Sequence, residues 1–247
     1  MTEDPQETIP HTTATPPWKR LLPIVVIAII IVLFFAFDLG HYLSFEMLRD
    51  HREDLMAWYN ANQIVAIVSF SVLYALIVAC SVPGATWMTL AGGFMFGTVL
   101  ATGVVVISAT IGALGIFLIA RYALADYFRE KAGKAGSRME EGFQANALSY
   151  MLFLRLVPLF PFWLVNLVPA FLHVRARTFA IGTFVGIIPG SAVFCSVGNG
   201  LGAVFEAGGE IVPKDIILKP EILMPIIGLA VLSLVPIVYK KMTANKA

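Results

Sequence analysis

The stretch Tyr150-Met-Leu-Phe-Leu-Arg155-Leu-Val-Pro158-Leu-Phe-Pro161-Phe-Trp-Leu-Val-Asn166-Leu-Val-Pro169 sets one arginine among apolar residues and prolines. Between Glu141 and Arg175 no other residue is formally charged. A guanidinium presents five N–H donors in a planar fork and can grip a phosphate through two of them at once. A charge at bilayer depth costs about 2.5–3.5 kcal/mol even on a lenient insertion scale, so it faces a partner or a wet cavity. The prolines break the helical hydrogen-bond ladder, and open backbone is tolerated in a bilayer only inside protein or along water. Together these features point to a polar transport site within a membrane protein, with Arg155 holding an anion. The competing role is structural, an arginine that caps exposed carbonyls of another segment, and the two can coexist.

Two further polar residues are candidates for substrate binding. Asn166 lies eleven residues after Arg155, and its amide can bond either a substrate or freed backbone. Arg121 ends a long uncharged run, so it either snorkels to the headgroup layer or guides a phosphate. Pro83, Pro158, Pro161 and Pro189 are expected to set helix breaks, and Gly92-Gly93 to permit a tight turn or a close backbone contact. Free N–H groups at the starts of short half-helices could also hold an anion.

Enzyme chemistry finds no support. His11, His41, His51 and His173 are scattered and show no metal-ligand spacing. No G-x-S-x-G, H-E-x-x-H or P-loop pattern occurs. Gly198-Asn-Gly-Leu-Gly202 is glycine-rich but follows a membrane span, where a dinucleotide fold is not available. No cofactor is expected. Cys80 and Cys195 read as buried small hydrophobes, not as a disulfide or metal pair.

The elements that must position these groups follow from composition. Of 247 residues 58% are hydrophobic and 13% charged, and the mean hydropathy is +0.82. Ordinary soluble domains carry about 25% charge, so the chain is an all-α polytopic membrane protein. No run shows the strict alternation of an outer-membrane strand. The net charge of +1 gives no hint of nucleic acid.

Four regions are expected: a disordered leader at 1–17, a first transmembrane helix and an interfacial amphipathic helix within 18–60, a membrane domain at 61–205, and a polar loop, last span and basic tail at 206–247. Lys19-Arg20 before Leu21–Phe37 resembles a signal peptide, but the run is long for one and no small-residue cleavage site follows, so a retained helix is favoured. Trp58 and Tyr59 would anchor the interfacial helix at headgroup level. From Leu55 to Ala120 no side chain is charged. That run divides into a helix at about 62–80, a short broken segment at 82–97 and a full span at about 98–120. A broken segment at 148–172, a span at about 177–198 and a last span at about 221–239 follow. Lys and Arg cluster after Arg121, at 175–177 and at the C-terminus, which places those regions in the cytoplasm.

The halves look related. Pro83 precedes Gly112 by 29 positions, and Pro158 precedes Gly186 by 28. Each half reads as a proline-broken short hairpin followed by a Gly-containing span, the pattern of inverted-repeat transporters, although few identities are shared.

Pro83-Gly-Ala-Thr-Trp-Met-Thr-Leu-Ala-Gly-Gly-Phe-Met-Phe-Gly97 resembles the first motif of the DedA superfamily, also called the SNARE-associated Golgi or VTT-domain family. Gly112-Ala-Leu-Gly115 with Arg121-Tyr122, Phe153-Leu-Arg155-Leu-Val-Pro158-Leu-Phe-Pro161-Phe with Asn166, and Gly182-Thr-Phe-Val-Gly186-Ile-Ile-Pro189-Gly190 match the motifs that follow. The resemblance covers about residues 60–205. It implies two re-entrant hairpins entering from opposite faces, flanking transmembrane helices, and lipid movement between leaflets. Scrambling of phospholipid or recycling of polyprenyl phosphate, with proton coupling in some members, is the implied activity. The DedA branch proper carries acidic residues in or beside its first hairpin, and none occurs here between Leu55 and Ala120. The sequence is therefore closer to the yeast Tvp-like branch, and proton coupling lacks its first-hairpin carboxylate.

The expectation is a transporter or scramblase of anionic lipid phosphate in a bacterial inner membrane, with a cytoplasmic C-terminus and with homo-oligomerisation open. Two rivals are a secondary transporter of a small ion and a membrane assembly factor that moves nothing.

Overall fold

The computed structural model describes residues 50–82, 84–123, 146–156 and 160–206, with scattered residues between 25 and 37. The expected leader, most of the loop after Arg121, the last span and basic tail, and Pro83 and Pro158 lie outside the described residues. Seven helices follow in order: α1 Arg52–Ala61, α2 Gln63–Ala79, α3 Ala85–Phe96, α4 Thr98–Ala123, α5 Ala147–Leu156, α6 Phe162–Phe171 and α7 Ala176–Glu206. No strand occurs among the described residues.

Backbone polar groups in hydrocarbon must bond within their own segment, which is why the uncharged runs are helical. α4 and the Ala176–Gly202 part of α7, at 26 and 27 residues, are long and apolar enough to cross a membrane. α5 and α6 have 10 residues each. At a rise of 1.5 Å per residue that is about 15 Å, half of a ~30 Å hydrocarbon core, so neither crosses alone. α1 carries no buried residue and meets α2 at a 113° bend, as suits a helix lying along a surface. Trp58 is exposed on it, whereas Tyr59 turns inward against Phe96, with ring centroids 5.2 Å apart.

The helix ends show how the described helices stop and start. α2 closes with Ser81 in the left-handed region (φ 54°), Val82 N–H donating to Ile77 O and Ser81 N–H to Val78 O. That is the paired-bond C-cap usually built on glycine. α6 begins after Pro161, whose extended backbone (φ −56°, ψ 141°) and missing N–H suit a helix start. It closes at His173 (φ 51°), with Val174 N–H donating to Pro169 O. Gly97, at φ 74° and ψ 169°, turns α3 directly into α4, a conformation open to little but glycine.

One expectation needs correction, and the two alternatives for Gly92-Gly93, turn or close contact, are decided. Pro189 ends no helix: it lies inside α7, whose 31 residues continue past it. A proline removes one ladder bond, and a long helix packed on neighbours can absorb that loss. Gly92 and Gly93 form no turn, because both lie within α3, and they serve close packing instead. A Cβ on Gly93 would collide with the Cys195 backbone of α7, and one on Gly198 of α7 with the Leu90 backbone of α3. Glycine on both sides lets the two backbones touch. The same device brings α4 onto α2, where Gly112 faces Ala75 and Val78, and α7 onto α5, where Gly182 and Gly186 face Met151 and Arg155. α6 packs on α4, and α4 and α7 pack on each other along the centre. Phe117, Met151, Val105, Val174 and Phe179 fill that centre, while Val68, Val72, Leu76, Ile107 and Ile111 are exposed, as side chains facing lipid would be.

Candidate functional site

Arg155 is the penultimate residue of α5, just before the second hairpin break. Its Nη2 donates to Asn166 Oδ1 of α6 at 2.7 Å and to Thr183 Oγ1 of α7 at 2.9 Å. One nitrogen thus joins three helices. α7 comes this close because Gly186 has no side chain: a Cβ there would sit 2.6 Å from Arg155 Cβ. The guanidinium carbon lies 5.5 Å from the centre of the Phe179 ring and 6.0 Å from that of Phe162, distances suited to cation–π attraction. Phe179 in turn stacks on Phe117 of α4 at 4.3 Å, so the charge rests on a two-ring layer in the core.

The electrostatics are unusual in one respect. Among the described residues no carboxylate approaches Arg155, and both of its hydrogen-bond acceptors are neutral. Two donors beside that contact are sealed from solvent and unpartnered among the described residues: Arg155 Nε and Asn166 Nδ2. A guanidinium has no acceptor, so the Asn166 oxygen must face it and the amide NH2 must point away. A buried unpaired donor costs about 1–3 kcal/mol, more beside a charge. The arrangement therefore lacks an acceptor, and an oxyanion would supply one.

Arg121 is not part of this cluster. Its Nη1 donates to Val174 O at 2.9 Å, satisfying a carbonyl in the turn between α6 and α7. Carbonyl capping, the alternative weighed for Arg155, is thus a role that Arg121 performs. Asn166 bonds Arg155 itself, a partner not among the two expected for it, substrate and freed backbone. Sequence reading gave no role to Thr183, Phe162 or Phe179. A signal for Thr183 existed: it lies between Gly182 and Gly186, whose spacing of four puts them on one helix face. Trp163, half exposed at 52%, and Phe162, at 39%, border the cluster where α6 begins.

Residues 82–200 match the family model of the VTT domain. The "Transmembrane protein 41 homolog" of Dictyostelium discoideum is 32% identical over 198 residues, covering 78% of this chain and 57% of that protein. "Transmembrane protein 41B" of Homo sapiens is 27% identical over 187 residues (74% of this chain, 62% of the relative), and its Xenopus tropicalis counterpart is 26% identical over the same length (74% and 64%). The chain thus spans less than two thirds of the length of these curated relatives. No solved structure matches it.

Proposed function

On the premise that this chain belongs to the DedA/VTT superfamily, on the side of its Tvp-like and transmembrane-41 members, we propose that it is a transporter or scramblase moving anionic, phosphate-bearing lipids between leaflets. The carrying observation is the Arg155 cluster: a guanidinium in an apolar enclosure, bonded to neutral oxygens, with two sealed donors beside it. A headgroup phosphate cannot take its hydration shell through hydrocarbon, and charge-assisted bonds to arginine replace that shell. Phospholipid and polyprenyl phosphate both present this group. The partly exposed Phe162, whose ring centre lies 6.0 Å from the guanidinium carbon, marks the side from which a headgroup would reach Arg155.

The architecture that goes with this reading is an inverted repeat of two re-entrant hairpins. Three correspondences support it. α2, α3 and α4 are followed by α5, α6 and α7 in the same order of hairpin, turn and long span. The second hairpin helix of each half packs on the long helix of the other, α3 on α7 and α6 on α4. Each then joins its own long helix through a positive-φ residue, Gly97 or His173. Basic residues after α4, in the α6–α7 turn and at the C-terminus favour a cytoplasmic location for those segments, in a bacterial inner membrane.

Purified protein in vesicles carrying labelled lipids, probed by an outside reagent, tests the reading. Arg155-dependent lipid exposure is expected, and Arg155→Ala should reduce it to the protein-free rate while the protein stays folded. Lipid flux unchanged in Arg155→Ala would sink the assignment. Phosphate flux without lipid flux would favour the small-ion rival.

A further inference from the structure

We propose that Thr183 is a positioning residue of this anion site, holding one Nη2 proton of Arg155 until a phosphate oxygen takes it. The inference rests on the anion reading of Arg155. A guanidinium has two two-donor forks, Nε with Nη2 and Nη1 with Nη2, and both need Nη2. Here Asn166 and Thr183 take both Nη2 protons, so neither fork is complete. Two-point binding of a phosphate requires one of these acceptors to leave. Both are neutral, and a phosphate oxygen adds charge attraction to the hydrogen bond in a poorly solvated site, so the exchange is favourable.

Thr183 is the acceptor that can leave. Both side chains are fully buried, but the Asn166 bond is the shorter, at 2.7 Å against 2.9 Å, and the guanidinium fixes its amide orientation. A threonine hydroxyl loses little by ceasing to accept, because in a helix its proton can bond the carbonyl four residues back. Thr89, Thr102 and Thr110 all do so, donating to Ala85 O, Thr98 O and Val106 O at 2.6–2.7 Å. Thr183 instead faces across to α5, at the point where Gly182 and Gly186 bring the two helices together. Its departure frees one Nη2 proton, and so completes one of the two forks. It also cuts the hydrogen bond that joins α5 to α7, so anion binding and loosening of the second hairpin become one event.

Titration calorimetry on the detergent-purified full chain tests this with two probes, dihexanoyl phosphatidic acid and inorganic phosphate. Thr183→Val keeps the side-chain shape and removes the competing acceptor. It should bind roughly two- to tenfold tighter, the equivalent of one neutral hydrogen bond, while melting at a lower temperature without ligand. Thr183→Ser, which restores the acceptor, should return both values to wild type. A response to phosphatidic acid alone assigns a lipid headgroup, and an equal response to phosphate assigns the free anion. Unchanged or weaker binding in Thr183→Val, with binding still lost in Arg155→Ala, overturns the role of Thr183 and leaves the anion reading intact. Wild type that binds neither probe, or binds no better than Arg155→Ala, overturns the anion reading and the inference with it. Thr183→Ala serves the same test if Thr183→Val fails to elute as a single species.

Discussion

Two polar junctions tie the hairpins to α7, one at Thr89 and one at Arg155, and they are built to opposite ends. At Thr89 the Tyr74 hydroxyl of α2 donates to Oγ1 at 2.9 Å, Oγ1 donates to Ala85 O of α3 at 2.7 Å, and the Cys195 thiol of α7 donates to Thr89 O at 3.7 Å. Because the Thr89 proton goes to Ala85, Tyr74 must be the donor, so three donors meet three acceptors. At Arg155 one charged nitrogen joins three helices and two neighbouring donors are left over. Counting from landmarks of each half sharpens the contrast. Cys80 stands three residues before Pro83 as Arg155 does before Pro158, Ala91 eight after Pro83 as Asn166 does after Pro158, and Ala109 three before Gly112 as Thr183 does before Gly186. At the counterpart positions of the proposed repeat, Cys80, Ala91 and Ala109 stand where Arg155, Asn166 and Thr183 do. A satisfied junction fixes geometry, and the donors left over at Arg155 are the ones the proposed anion would engage.

The largest effect should come from breaking the closed junction. Gly93→Val forces a branched side chain into the Cys195 backbone, which cannot give way as a flexible side chain would. Overpacking a core costs about 1–3 kcal/mol where side chains can adjust, and backbone contact puts this change at or above the upper end. Little folded protein should be recovered, as read by its melting temperature in detergent. A wild-type melting temperature would show that the α3–α7 crossing is not as close as described. The matching change at the open junction is Gly186→Ala, which sets a Cβ 2.6 Å from Arg155 Cβ. Gly182→Ala meets Met151 Cβ at the same 2.6 Å and is its control. Similar losses of stability are expected, but only Gly186→Ala should reduce lipid flux severalfold. Equal flux in the two variants would remove Arg155 placement from the account.

Most of this frame was legible because membrane helices write themselves in hydropathy. The uncharged run from Leu55 to Ala120 divided into the observed α2, α3 and α4 within a few residues, with Pro83-Gly84 marking the first division, although Gly92-Gly93, which also punctuate it, lie inside α3. Arg155 and Asn166 were each legible as candidates because polar residues are few in that apolar stretch, but the bond between them was not. Thr183 was not, for its partner comes from another helix and one threonine in an apolar span resembles any other until packing turns it. Pro189 misled for the converse reason: proline signals a break locally, and the packing of a 31-residue helix overrode it. Gly92 and Gly93 carried a double meaning, turn or close approach, that only the position of α7 decides.

A smaller effect separates charge from shape at the open junction. Arg155→Lys keeps the positive charge but offers one ammonium in place of a planar fork, and it cannot reach two acceptors and a phosphate in the same geometry. Vesicles carrying this variant should move lipid at a rate between those of wild type and Arg155→Ala. Full activity would reduce the role of Arg155 to that of a point charge and make its forks irrelevant.

The smallest effect belongs to the closed junction. Tyr74→Phe keeps the ring, its packing on Phe70 at 5.8 Å and its volume, and removes only the hydroxyl that donates to Thr89. Thr89 still donates to Ala85 O, so no buried donor is stranded and the loss is confined to one neutral hydrogen bond. Such bonds in membrane bundles contribute about 0.5–1 kcal/mol. The melting temperature should fall slightly and lipid flux should match wild type, because nothing at Thr89 waits for a ligand. A severalfold change in flux with a small change in stability would mean that the closed junction also takes part in transport, and the division between a fixed half and a working half would fail.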